Sequence, residues 1–164
     1  RTPTKDAEEL KIRHGVALRQ LASVNDMIEV PGVGDRGARE ISRQTLAEVI
    51  EPRVEELYSL VQRELRSCGL EELLSSGIVI TGGSALMKGM VELGEEVFHM
   101  PVRVGLPQYS GALAEVVRNP RHSTGMGLLL AGLEQHRRDQ HAKIAGTGFK
   151  DVLEKMKNWF KGNF

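Results

Sequence analysis

Residues 77–83, Gly77-Ile78-Val79-Ile80-Thr81-Gly82-Gly83, decide the fold. Ile-Val-Ile is apolar, β-branched and without alternation, which is how a strand covered on both faces reads. The two glycines that follow permit a sharp bend, because neither carries a Cβ. A helical pattern resumes from about Ala85 and runs to Phe98. Pro101 to Val104 is a second short apolar run, closed by Leu106-Pro107. Strand, glycine turn, helix and strand make a βαβ rhythm, which predicts an α/β layer around a mainly parallel sheet.

Toward the N-terminus, Thr45-Leu46-Ala47-Glu48 has the spacing of a capping box. Leu46, Val49, Ile50, Val54, Leu57 and Val61 then recur at helical intervals, predicting a helix over 45–68 that ends near Gly69. Pro52 lies inside it and predicts a kink, since an interior proline costs about 3 kcal/mol and removes a hydrogen bond. Residues 16–44 read as extended. Met27, Ile28 and Val30 precede Pro31-Gly32-Val33-Gly34-Asp35, a turn-rich stretch, and the chain up to Ile41 reads as the returning strand of a hairpin. Residues 4–14 predict a short helix capped by Thr4 and closed by Gly15, with Asp6, Glu8 and Glu9 at the positive end of its dipole.

Toward the C-terminus, residues 111–118 and 123–138 are predicted helical. Residues 139–148 lack apolar periodicity, carry Gly146-Thr147-Gly148, and read as a linker. Phe149 to Lys161 forms a final amphipathic segment.

Composition narrows the function. Among 164 residues, 22 Lys and Arg balance 22 Asp and Glu, which argues against a general nucleic-acid binder with its required basic field. Cys68 is the single cysteine, so no disulfide framework exists, and one thiol without a signal-peptide pattern fits a reducing cytosol. The apolar run near Leu128–Leu133 is far below the roughly 18 residues of a membrane span. The chain opens on Arg1 instead of Met, as a fragment or processed piece would. Of seven aromatics, four (Phe149, Trp159, Phe160 and Phe164) fall in the last 16 residues. That same segment holds four Lys against Asp151 and Glu154, so a small basic end sits on a slightly acidic body.

Four motifs carry chemistry. In Ile80-Thr81-Gly82-Gly83-Ser84-Ala85 the glycine turn lets backbone amides approach a ligand at a helix start, although an ordinary tight turn reads the same way. Glu8 and Lys11 share one helix face, either to hydrogen-bond a ribose or as a solvated ion pair. Arg36, Arg39, Arg43 and Arg53 surround the hairpin and the start of the long helix. They suit an acidic peptide, unless Glu40, Glu48 and Glu51 neutralise them. The fourth motif is the terminal stripe of Phe149, Val152, Leu153, Met156, Trp159 and Phe160, bordered by Lys150, Lys155, Lys157 and Lys161. A helix lying in an anionic bilayer interface has this pattern, and so does a terminal helix docked on its own core. The five histidines show no metal spacing, and no serine sits in a nucleophile elbow. No catalytic or metal-binding set emerges.

With these residues in view, the chain resembles the C-terminal part of the bacterial FtsA family of actin-like cell-division proteins. The resemblance covers nearly the whole chain. Its most specific stretches are AEELKIRHG at 7–15, SRQTLAEVIEPR at 42–53, GIVITGG at 77–83, HSTGMGLL at 122–129 and the terminal amphipathic helix.

The resemblance implies the second lobe of an actin-like, ribonuclease-H-like α/β fold. Residues 1–19 would begin a nucleotide-facing region and residues 20–69 a smaller capping subdomain. Residues 70–138 would form the main sheet subdomain, residues 139–148 the linker and residues 149–164 the membrane-targeting helix. It implies ATP as ligand, with Mg²⁺ held mainly by the other lobe. Glu8, Lys11, Gly82, Gly83, Ser84, Leu86 and Met87 would be the nucleotide-binding residues. In the related chaperone ATPases the position of Leu86 is an arginine stacked on adenine, and an acidic residue is common where Arg121 follows Asn119-Pro120.

The same resemblance implies that Arg39 and Arg53, with Arg43 as neighbour, receive the C-terminal tail of the tubulin-like FtsZ. It implies self-association into filaments, contacts with other division proteins, and a peripheral place on the cytoplasmic face of the inner membrane at the division site. Phe149, Val152, Leu153, Met156, Lys157, Trp159, Phe160 and Lys161 would make the membrane contact. A binding protein with at most weak ATPase in the whole molecule is the leading reading, and the chain by itself is not expected to turn over ATP. The alternatives are an ATP-dependent enzyme of the actin and sugar-kinase superfamily, or another actin-like adaptor such as a pilus-assembly protein.

Overall fold

Val16 and Ala17 are completely buried, and the chain around them is where three segments meet. The structure is a computed structural model. It describes the backbone of residues 2–34, 36–109 and 111–162, and the side chains of these apart from 141–152, 160 and 162. Contacts divide the chain into two units, Arg1–Ser123 and Thr124–Phe164.

In the first unit, helix α1 spans Thr4–His14, as its composition predicts. Its cap differs, because Pro3 holds the N-cap position and Thr4 is already helical, with no side-chain capping bond. Basic residues fill the last turn and favour the negative end of the dipole. After Gly15 the chain straightens. Val16 bridges Lys88 in parallel, and the Ala17 amide donates to the Lys88 carbonyl at 2.8 Å.

Strands β1 (Met27–Val30) and β2 (Arg39–Ser42) form the expected antiparallel hairpin, with Ile28 opposite Ile41. Ile28 and Val30 point inward while Met27 and Glu29 are exposed, the period of two that a half-buried strand needs.

Strand β2 runs straight into helix α2, Arg43–Ser67. The expected capping box is displaced by three residues. Ser42 is the last extended residue, and its hydroxyl accepts from the Thr45 amide at 3.1 Å. Thr45 therefore sits in the first turn as the capped donor, not as the cap. The helix is continuous through Pro52. Ala47, Val54 and Tyr58 form its buried face, whereas Val49, Leu57 and Val61 of the expected apolar stripe are exposed.

Strands β3 (Ile78–Ile80) and β4 (Val102–Val104) pair in parallel, Ile78 opposite Val102, across the crossover helix α3, Met90–Phe98. This is the predicted βαβ unit, but Val79 is exposed, so β3 is not the strand covered on both faces that its sequence suggests. Among the described residues it forms one two-stranded sheet, and the hairpin forms the other. The helix expected from Ala85 starts later. Gly83–Leu86 is a 3-10 turn, Met87 is extended, and Lys88 is committed to its bridge with Val16. Gly89, at φ +89°, then opens α3, and a Cβ there would lie 2.8 Å from the Leu18 amide nitrogen. That close approach of backbone to backbone requires glycine.

One core joins these parts: Ala17, Leu18, Val54, Tyr58, Met90, Leu93, Phe98 and Val102. The expected division at 69/70 is thus no gap in packing. Residues drawn from both sides of it share this core, and the Tyr58 and Phe98 rings stack at a tilt with centroids 5.1 Å apart.

Helix α4 is only Ala114–Val117, shorter than the expected 111–118. Helix α5 spans Ser123–Gly162, so the backbone of 139–148 is helical where a linker was expected. The unit boundary falls between Ser123 and Thr124 and not at 138/139.

Candidate functional site

A cleft of about 300 Å³ opens in the first unit, lined by Glu8, Lys11, Ile12, Gly83, Ser84, Leu86, Met87 and Arg121. Three segments supply these residues. Helix α1 presents Glu8, Lys11 and Ile12, which its three- and four-residue spacings place on one face. The bridge from Val16 to Lys88 then holds the end of α1 beside the glycine turn.

That turn takes its shape from Gly82, at φ +93° and ψ 174°. Nothing lies within 4 Å of a Cβ placed there, so the backbone conformation and not crowding demands glycine. Past it, the Ala85 amide donates to the Gly82 carbonyl at 3.2 Å, and the Met87 amide donates to Ser84 at 3.0 Å. Ala85 is buried and anchors the turn, leaving Gly83 and Ser84 facing outward.

The third segment is the turn at Asn119–His122. Asn119 Oδ1 accepts from the Arg121 amide at 3.0 Å, and Pro120 is buried. Thr81 ties this region to the strand end, with its hydroxyl 2.9 Å from the Gly105 carbonyl and 2.7 Å from Ser123 Oγ.

Of the seven expected nucleotide residues, Glu8, Lys11, Gly83, Ser84, Leu86 and Met87 line the cleft. Gly82 shapes it without lining it. Ile12 and Arg121 line it too and were not among those seven. Ile12 follows Glu8 by one helical turn, which was a readable signal. Arg121 was marked only as a departure after Asn119-Pro120, not as a residue of the cleft.

The residues fit the adenosine part of a nucleotide. Ile12, Leu86 and Met87 offer apolar surface to a base, and the Glu8 carboxylate can accept from ribose hydroxyls. Glu8 Oε2 lies 2.6 Å from Lys11 Nζ, so the pair is preformed. Among the described residues no group of three or more His, Cys, Asp or Glu stands close enough to hold a metal ion.

The arginines expected to meet a partner peptide separate into two kinds. Arg43 is engaged within the protein. Its Nε donates to the His14 carbonyl at 2.9 Å, its Nη1 lies 3.3 Å from Asp26 Oδ2, and its side chain is only 28% exposed. Arg53 is 79% exposed and, among the described residues, pairs only with its own helix neighbour Glu56, at 2.9 Å. It stands in the row Val49, Arg53, Leu57 and Val61, each four residues apart on α2 and all exposed. Arg39 is exposed at the start of β2.

In the second unit, Leu153, Met156, Lys157, Trp159 and Lys161 are exposed on α5. The side chains of Phe149, Val152 and Phe160 lie outside the described residues. Among the described residues no helix is long and apolar enough to cross a membrane.

The family model described as cell division protein FtsA matches residues 1–127. A cell division protein FtsA from Pseudomonas aeruginosa is 52% identical over the whole of this chain and 41% of its own length. The protein of that name from Neisseria meningitidis serogroup B is 41% identical, again over the whole chain and 41% of its own length. The one from Escherichia coli K12 is 38% identical over 99% of this chain and 41% of its own length. The chain thus spans about two-fifths of the length of these relatives.

Proposed function

Because this chain belongs to the FtsA family of cell-division proteins, we propose that it is part of a division adaptor that binds ATP, the C-terminal tail of FtsZ and the inner membrane. The observation that carries the nucleotide reading is the meeting of Glu8 and Lys11 with Gly83, Ser84, Leu86 and Met87 in one cleft. The two segments are remote in sequence, and the chemistry of each left a nucleotide role open beside an ordinary turn or a solvated ion pair. The base packs on Ile12, Leu86 and Met87, Glu8 holds the ribose, and Lys11 orients Glu8. Bound ATP would supply phosphates for the rest of the protein to hold. The groups of this chain bind and orient the nucleoside, and none of them is assigned a catalytic step.

For the FtsZ tail, the exposed row Val49-Arg53-Leu57-Val61 on α2 offers apolar surface around one available guanidinium, which suits an acidic and apolar peptide. Arg39 adds a second exposed cation. Arg43 is set apart from this role by its contacts with His14 and Asp26.

The segment 149–164 lies on the cytoplasmic leaflet with its apolar stripe inward and lysines toward anionic head groups. Burial of each large apolar side chain contributes at most about 1.5–3 kcal/mol. One such helix therefore binds weakly, and self-association into filaments raises the effective concentration until attachment holds.

The deciding experiment is titration of an FtsZ C-terminal tail peptide into the full-length protein that contains this chain. Affinity should drop on Arg53→Glu. Equal affinity in that variant would remove the FtsZ assignment.

A further inference from the structure

Arg121 is exposed on a turn of its own, and it lines the cleft that Glu8, Lys11 and the glycine turn define. Its backbone is fixed, since the Asn119 carboxamide accepts from the Arg121 amide at 3.0 Å and Pro120 beside it is buried. A Cβ placed at Gly83 would lie 3.7 Å from Arg121 Cγ, so the arginine stem lies against the glycine turn. The guanidinium makes no hydrogen bond or ion pair with any described residue. Glu8, the one carboxylate on the cleft wall, is taken by Lys11 at 2.6 Å.

The cleft thus carries one uncompensated cation, and that cation is planar. Beside the paired Glu8 and Lys11, the large side chains Ile12, Leu86 and Met87 are apolar and cannot hydrogen-bond a base edge. A guanidinium is weakly hydrated and stacks readily on aromatic faces, as a flat group among apolar neighbours can. We propose that Arg121 lies flat against the nucleobase and supplies the base-stacking contact of this cleft. This rests on the nucleotide reading given above and goes beyond it by assigning the element that holds the base. Phosphates are not its partner on this reading, so its contribution to binding is the same with and without them.

The test uses the full-length protein that contains this chain, titrated calorimetrically with ATP and with adenosine. Arg121→Ala should weaken both ligands by the same factor, about five- to tenfold. Arg121→Lys should recover only part of the loss, because an ammonium has no flat face. The Arg121 side chain makes no bond with any described residue, so thermal melts of both variants should match the wild type. Adenosine affinity unchanged in Arg121→Ala would overturn the proposal. If ATP alone weakened, the residue would be a phosphate contact instead. A wild type that binds neither ligand would overturn the nucleotide reading and this inference with it. Binding that is lost in Gly83→Asp but intact in Arg121→Ala would overturn the inference alone.

Discussion

The Tyr58 hydroxyl donates to the Met90 carbonyl across 3.1 Å, which ties the buried face of α2 to the first residue of α3. Burial also raises the Tyr58 pKa above its ordinary value of 10.0, because the phenolate would lose its hydration. Tyr58→Phe should therefore cost about 1–2 kcal/mol at neutral pH, from the lost bond and the acceptor left short of a donor. The pH dependence follows from the direction of the shift. The unfolded phenol ionises near pH 10 while the folded one stays protonated, so this stability is complete below pH 10 and declines as pH rises toward the folded value. Urea melts at neutral and alkaline pH should show that decline in the wild type and a smaller one in Tyr58→Phe.

The two arginines of α2 should respond to mutation in opposite ways. Arg43 joins the start of α2 to the His14 carbonyl and to Asp26, so Arg43→Ala should lower stability by about 1 kcal/mol. Affinity for the FtsZ tail should hardly change. Among the described residues Arg53 pairs only with Glu56, on an exposed surface, so Arg53→Glu should leave the melting temperature within about a degree or two. Its affinity for the acidic tail should fall about tenfold. Measuring both quantities on both variants separates a structural arginine from a recognition arginine.

These arginines also mark what the sequence could and could not convey. Local pattern was enough for α1, the β1–β2 hairpin, the body of α2 and the β3–β4 unit, because apolar spacing and turn residues act over a few positions. The later start of α3 was hidden. It depends on Val16 bridging Lys88, a pairing between distant segments that overrides the helical tendency of Leu86 and Met87. Ser42 displaced Thr45 as the cap because β2 runs on to Ser42 before the helix begins. The cleft was legible through its glycine turn and the Glu8–Lys11 spacing. Arg121 was not, because only the fold brings the Asn119-Pro120 turn to Gly83. Likewise Arg43 resembles Arg53 in sequence and is told apart by its contacts with His14 and Asp26.

The neighbouring glycines should separate backbone strain from ligand contact. Gly82 holds φ +93° with open space around it, so Gly82→Ala should destabilise by about 1–3 kcal/mol through conformation alone. Gly83 has no positive φ, and its added Cβ would meet Arg121 at an ordinary 3.7 Å. Gly83→Asp should thus fold with a nearly wild-type melt, yet weaken ATP by filling the nucleoside's space beside Arg121 with a carboxylate. Parallel thermal melts and ATP titrations would check both. A Gly83→Asp protein that bound ATP as tightly as wild type would remove the glycine turn from the site.

The terminal segment supplies the sharpest test of attachment. Leu153 and Met156 are exposed on α5 three residues apart, and Lys157 and Lys161 are exposed beside them. If this face enters the interface, Leu153→Glu with Met156→Glu replaces two apolar groups by two anions. The loss should be several kcal/mol, at about 1.5–3 kcal/mol for each burial, before repulsion from anionic lipid is added. Sedimentation with vesicles containing anionic lipid should recover the full-length wild type and leave the double variant in solution, as should removal of residues 149–164. Raising the salt from about 0.1 M to 1 M should weaken the wild type only in part, because screening removes the lysine attraction and leaves apolar burial intact. Binding abolished by salt alone would mean that the lysines hold the helix on the surface and the apolar stripe does not enter. Equal sedimentation of the truncated protein would place the membrane contact elsewhere.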